Sequence, residues 1–214
     1  MILEKTHNMT NWEKDKIKLN NIGVATIDNV NLEILNYLKT HIKNKKNLQK
    51  TNNTLAGHIK DEFDVPVTAD FSKYISYSIA NNNITNNYLQ KINILSKDAP
   101  LYLHSLWMNF QKKYEFNPLH DHSGVFSFII FMQIPYNLKE ELKVFPNANG
   151  NYTSCLSFIY SDVNGSISDL PCYVDESYLE KMLLFPAKQK HLVYPFYTSN
   201  KERITVSGNV KFLI

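Results

Sequence analysis

The apolar residues change period at Pro100, and that change constrains the fold more than any other feature of the chain. Ahead of it, residues 31–46 carry Leu32, Ile34, Leu35, Leu38 and Ile42 at helical spacing, with Asn31 or Asn29 available as a cap. Residues 70–95 repeat the pattern with Phe71, Tyr74, Ile75 and Ile79, then Tyr88, Leu89 and Ile92, interrupted around 81–83. After Pro100 the period shortens. Residues 101–110 alternate in places and are rich in aromatics, and 125–134 form an almost continuous apolar run, the pattern of a strand covered on both faces. Further short strands are predicted at 153–160, 173–174, 182–185, 191–194 and 203–213. Turn signals separate them: Asn117-Pro118, Asn149-Gly150, Asn164-Gly165 and Pro195. The first 28 residues are polar, with one short strand at 22–27, and 47–66 read as a polar connection with a helical or turn region. Helices first and strands afterwards predict a mainly β fold, a sandwich or barrel braced by N-terminal helices.

At 214 residues the chain is long enough for one domain with a substantial core, 1–99 serving as helical support and 100–214 as the β core. The net charge of +3 is spread among interspersed acids and bases, too weak a bias for a nucleic-acid partner. No apolar run approaches the ~18 residues of a membrane span, and the N-terminus has no apolar core of signal-peptide length. Cys155 and Cys172 fit no metal motif and make no disulfide framework, so a reduced, cytoplasmic setting is expected. The N-terminal helices are expected either to pack on the strands or to form a homodimer surface. Nucleophile-elbow, P-loop and dinucleotide-binding glycine motifs are all missing from the sequence.

Chemistry concentrates in His120-Asp121-His122, His191 and Arg203-Ile204-Thr205. In a strand, residues two apart share a face, so His120 and His122 converge while Asp121 points away. Imidazole is a neutral nitrogen donor suited to iron, zinc, copper or nickel, and His191 from a distant strand completes a facial set with open positions. Arg203, Thr205, Ser207 and Asn209 alternate with apolar neighbours. If that polar face turns inward, the buried guanidinium needs a partner: a bound carboxylate, or an internal Asp or Glu. Trp107, Tyr194, Phe196 and Tyr197 could line such a pocket, although core packing explains each of them as well.

These segments, NPLHDHSGVFSFIIFMQIP and LLFPAKQKHLVYPFYTSNKERITVSGN, resemble the iron(II)/2-oxoglutarate-dependent oxygenases, most closely those of bacteria and phages. The shared features are a histidine pair followed by Ser-Gly, a strand ending in Pro, a Phe-Pro ahead of the distal histidine, and a closing Arg-Ile-x-x-Ser-Gly-Asn. The resemblance covers about residues 101–212, with a looser echo at Leu55-Ala56-Gly57-His58. It implies a double-stranded β-helix, a jelly-roll or cupin-like barrel, with the metal at its open end. It puts the first ligand on His120 and the distal histidine on His191. Arg203 falls on the residue that binds the far carboxylate of 2-oxoglutarate, assisted by Thr205, with Asn109 a further contact. The family's usual second ligand is a carboxylate, whereas this chain has His122 there; strand parity favours His122, and Asp121 is the alternative.

The resemblance implies a dioxygenase with Fe(II), 2-oxoglutarate and O2, hydroxylating a substrate that the sequence does not identify, with release of succinate and CO2. Two other readings stay open. One is a cupin-type three-histidine dioxygenase that does not use 2-oxoglutarate, and the other is a jelly-roll binding module without turnover.

Overall fold

The computed structural model describes residues 16–19, 23–81, 88–90 and 100–213. The N-terminal part supplies strands β1 (Lys16–Leu19), β2 (Gly23–Asn29) and β3 (Glu62–Asp64) and helices α1 (Leu32–Lys43) and α2 (Ala69–Ala80). Each helix starts where a short polar side chain takes over an orphan amide. Asn31 accepts from the Ile34 N–H (2.9 Å) and Thr68 from the Phe71 N–H (3.2 Å). The predicted strand at 22–27 corresponds to β2. The predicted helical region at 70–95 is observed as α2 and a helical stretch at 88–90; residues 82–87 and 91–99 lie outside the described residues.

The remaining strands follow as β4 (Leu101–Gln111), β5 (Asn117–His120), β6 (Phe126–Gln133), β7 (Leu156–Ser161), β8 (Ile167–Cys172), β9 (Lys181–Pro186), β10 (His191–Val193) and β11 (Arg203–Phe212), with the short helix α3 (Leu138–Glu141) between β6 and β7. They form two antiparallel sheets, one ordered β1-β2-β9-β6-β11-β4-β3 and the other β5-β10-β7-β8. From β4 onward the chain passes repeatedly between the sheets: β4, β6, β9 and β11 lie in the large one, and β5, β7, β8 and β10 in the small one. This is the jelly-roll path. The expected barrel is not closed, because the edge strands of the two sheets are not hydrogen-bonded to one another; the sheets face each other as an open sandwich.

The large sheet is covered on both sides. On its outer face Phe71, Ile75 and Ile79 of α2 and Ile34, Leu35 and Leu38 of α1 pack with Met108, Phe128, Ile130 and Val206. On its inner face Ile129, Phe131, Leu183 and Phe185 meet Leu156, Phe158 and Cys172 of the small sheet. The unbroken apolar run of β6 follows from this double coverage. It also explains Gly208 on β11, where a Cβ would stand 2.6 Å from Phe128 Cζ and 2.8 Å from Ser105 O.

Two elements depart from the sequence expectations. The strand expected at 173–174 lies at β8, whose alternation is broken by Asp169 and Pro171. The connection at 47–66 contains β3, which joins the large sheet through only three residues and so carries almost no periodic signal.

Candidate metal and carboxylate site

Pairing of β5 with β10 sets His120 directly opposite His191. His122 lies beyond the end of β5, so strand parity is not what aims it. Its N–H instead donates to Ala187 O (2.9 Å), which ties the turn to the segment that precedes β10. The three imidazoles come together, each offering a nitrogen, with these atoms all within 4.8 Å of one another. Their ring centroids are 4.3 to 5.1 Å apart. Trp107 on β4 covers the group, its ring centroid 5.8 Å from that of His122.

Backbone carbonyls fix the tautomers of two of the rings. His120 Nδ1 lies 2.7 Å from Pro118 O and His191 Nδ1 lies 2.9 Å from Gln189 O. A carbonyl only accepts, so each Nδ1 carries the hydrogen and each Nε2 keeps a lone pair, the arrangement that orients metal-binding histidines. Burial disfavours the protonated form of all three rings. It lowers His120, pushes His122 down to about 4 with help from the neighbouring His120, and takes His191 well below the usual histidine range. Asp121 turns away and pairs with Lys190 (3.2 Å) and Lys188 (3.5 Å), which hold its carboxyl below the ordinary range.

Arg203 opens β11, is 2 % exposed, and sits opposite Gln111 of β4. Its Nε and Nη2 both donate to Gln111 Oε1 (3.1 and 2.7 Å), its Nη1 to Tyr136 OH and Ser154 O, and its Nη2 also to Tyr194 O. The rings of Tyr136 and Phe196 flank the guanidinium. Every one of these partners is neutral, and among the described residues no carboxylate forms an ion pair with Arg203. The internal Asp or Glu considered from the sequence is therefore not seen, and a buried cation is left whose charge no described residue balances.

Thr205 and Asn109 lie one step along the same inner face, directly opposite each other across β11 and β4. Asn109 Nδ2 donates to Thr205 Oγ1 (3.2 Å), which leaves the Thr205 hydroxyl hydrogen free to donate elsewhere. Asn109, Thr205, Arg203 and Ser207 line a cavity between the sheets, with Asn117 and Val193 on the opposite wall. Asn117 starts the strand that His120 ends, and Val193 ends the strand that His191 starts, so two of the strands that wall the cavity also carry imidazoles, while Arg203 lines it directly.

Sequence reasoning missed several residues of this region. Glu141 is fully buried, and its carboxylate accepts from the N–H groups of Tyr197 and Thr198 and from the Thr198 hydroxyl, anchoring the loop between β10 and β11. Nothing in its polar neighbourhood, Lys139-Glu140-Glu141, separates it from a solvated acid. Gln111 and Tyr136 were missed because only the register brings them to Arg203.

A model of the family described as "Putative 2OG-Fe(II) oxygenase" matches residues 105–209. This segment of the chain belongs to the 2OG-Fe(II) oxygenase family. The oxygenase segment contains all three imidazoles, Asn109, Arg203 and Thr205, whereas Glu62 on β3 lies outside it. Solved structures similar in fold include a prolyl-4-hydroxylase from Pseudomonas putida, at 10% identity and a TM-score of 0.47, covering 87% of this chain and 91% of that one. An oxidoreductase of the 2OG-Fe(II) oxygenase family from Burkholderia pseudomallei matches at 8% identity and a TM-score of 0.49, covering 87% and 84%. HygX from Streptomyces hygroscopicus, solved with nickel and 2-oxoglutarate bound, matches at 8% identity and a TM-score of 0.46, covering 89% and 83%. A search of curated proteins finds no match. No helix among the described residues is long and apolar enough to cross a membrane.

Proposed function

We propose that this oxygenase is an Fe(II)- and 2-oxoglutarate-dependent dioxygenase that hydroxylates its substrate, with His120, His122 and His191 holding the metal. The observation that carries the reading is the pairing of a histidine cluster with a buried guanidinium through strands that wall one cavity. His120 and His191 stand on the strands that carry Asn117 and Val193, with His122 beside them and one nitrogen of each within 4.8 Å of the others; the cavity itself is lined by a buried guanidinium that pairs with no carboxylate among the described residues. Iron and 2-oxoglutarate bound together supply oxygen activation coupled to decarboxylation of the co-substrate to succinate and CO2.

The chain's own residues bind, orient and exclude water. Pro118 O and Gln189 O hold His120 and His191 in the tautomer that presents Nε2. Arg203 attracts the far carboxylate of the co-substrate, whose charge suits the guanidinium better than the neutral Gln111 amide oxygen now on its fork. Thr205 donates its free hydroxyl hydrogen to the same carboxylate, and Asn109 acts through Thr205 by occupying its acceptor side. Three imidazoles bring no negative charge, so a metal held by them would keep its full charge to attract an anionic co-substrate.

The absence of a carboxylate from the imidazole set also supports a second reading, a three-histidine dioxygenase in which Arg203 binds the carboxylate of the substrate itself. One experiment separates the two. The protein, purified without oxygen and given Fe(II) and 2-oxoglutarate, is expected to show the weak visible charge-transfer band of the chelated complex, and His191→Ala and Arg203→Ala are expected to lose it. Tight metal binding without a band, and without consumption of 2-oxoglutarate, favours the second reading. Neither metal nor band leaves a binding module.

A further inference from the structure

Register across three strands of the large sheet places Glu62 opposite Asn109 and Asn109 opposite Thr205 on the inner face. Glu62 is 1 % exposed, yet among the described residues no cation pairs with it: Lys50 and Lys112, the nearby bases, are engaged with Asp61. Its Oε2 accepts from Asn52 Nδ2 (3.1 Å), and its Oε1 makes no hydrogen bond among the described residues. Two further acceptors stand unpartnered nearby. Asn109 Oδ1 is buried without a donor because its Nδ2 is turned to Thr205, and Asn117 Oδ1 is buried without a donor on the facing strand. The gap between Glu62 and Asn117 is kept open by Gly57, since a Cβ there would stand 2.6 Å from Glu62 Oε1 and 2.7 Å from Asn117 Oδ1. Asn109 and Asn117 both line the cavity that Arg203 and Thr205 line.

Buried acceptors without donors are costly, and a carboxyl among them wants a cation as well as a hydrogen bond. We propose that Glu62 and Asn117, with Asn109 beside them, form a subsite for the protonated primary amino group of the substrate. An ammonium brings three N–H donors and one positive charge, which matches three acceptors of which one is a carboxylate. A neutral hydroxyl matches the acceptors but not the charge. Burial pushes the Glu62 carboxyl up to about 7, opposed by the Asn52 hydrogen bond and reinforced by the like charge of Glu115. That the amine belongs to a substrate rests on the proposed oxygenase function; the subsite itself does not.

The test uses the full chain without iron or 2-oxoglutarate, so its outcome is independent of the charge-transfer experiment. Amide NMR spectra are followed at about pH 8, where Glu62 is ionised, during titration with n-propylammonium or with n-propanol, which has the same shape but no charge. Propylammonium is expected to bind at least about tenfold tighter than propanol and to shift the signals of Glu62 and Asn117. The isosteric Glu62→Gln is expected to lose that preference, and Gly57→Ala to block binding with the carboxylate still in place. Equal binding of propanol, undiminished binding to Glu62→Gln, or no binding of propylammonium to the parent each overturns the subsite. Any of these beside an intact charge-transfer band leaves the oxygenase reading standing.

Discussion

Arg203 shows how much a single residue depends on what is missing around it. All its donors reach neutral acceptors, with Gln111 Oε1 on the fork that a carboxylate would take. Gln111→Glu puts a carboxylate there from within, and the expected result is a fold that persists with 2-oxoglutarate affinity reduced at least about tenfold, read by the charge-transfer band during titration. Unchanged affinity would place the co-substrate elsewhere. Glu62 gives a second expectation, with its sign set by linkage. Burial pushes its carboxyl up to about 7 in the fold against 4.5 ordinarily, so between those values the native chain is expected to hold the extra proton. The stability Glu62 contributes is present below pH 4.5 and is lost as pH rises through 7. Glu62→Gln does not titrate, so its stability relative to the parent should improve by up to about 3 kcal/mol from acid to neutral pH. Urea denaturation of both proteins at the two ends of that range checks it, and a difference flat with pH contradicts it.

At the scale of the element, two buried details hold the site in shape. The Glu141 carboxylate at the end of α3 fastens Tyr197 and Thr198, and the same loop carries Tyr194, whose carbonyl accepts from Arg203. Glu141→Ala leaves two backbone N–H groups without partners and is expected to cost about 2–3 kcal/mol. Co-substrate affinity should fall several-fold with it through the loosened loop, and stability and titration measured on one preparation separate the two effects. Gly208 of β11 lies where the Phe128 ring fills the outer core, with no room for a methyl group. Gly208→Ala is expected to destabilise by about 1–3 kcal/mol through overpacking, seen as a lower denaturation midpoint without loss of metal affinity.

For the whole molecule, the proposed ligands span two sheets: His120 and His191 stand on the small one and Arg203 on the large one. A metal and 2-oxoglutarate held between them would cross-link the open side of the sandwich. Saturating Ni(II) with 2-oxoglutarate, without oxygen chemistry, should raise the unfolding free energy by about 4 kcal/mol at a thousandfold excess over Kd. Scanning calorimetry reads this as a rise in Tm, smaller with the metal alone and reduced to the metal-alone value in Arg203→Ala. The helices pack on the outer face of the large sheet, the simpler of the two roles open to them.

Several of these features are legible in the residues alone because they are local. Helical spacing marks α1 and the start of α2, a continuous apolar run marks the doubly covered β6, and the histidines and Arg203 sit in a family pattern that spans the oxygenase segment. What the sequence did not carry is whatever depends on register between distant strands. Parity within one strand was offered for His122, but a backbone bond to Ala187 outside any strand aims it. β3 has too few residues for a period, yet it delivers Glu62 to the inner face. Gln111, Tyr136 and Glu141 read as ordinary polar residues until pairing and burial bring them to Arg203 and its loop. Composition and periodicity decide which face of each element is apolar; only the tertiary structure decides which polar groups those faces enclose, because that follows from contacts between residues far apart in the chain.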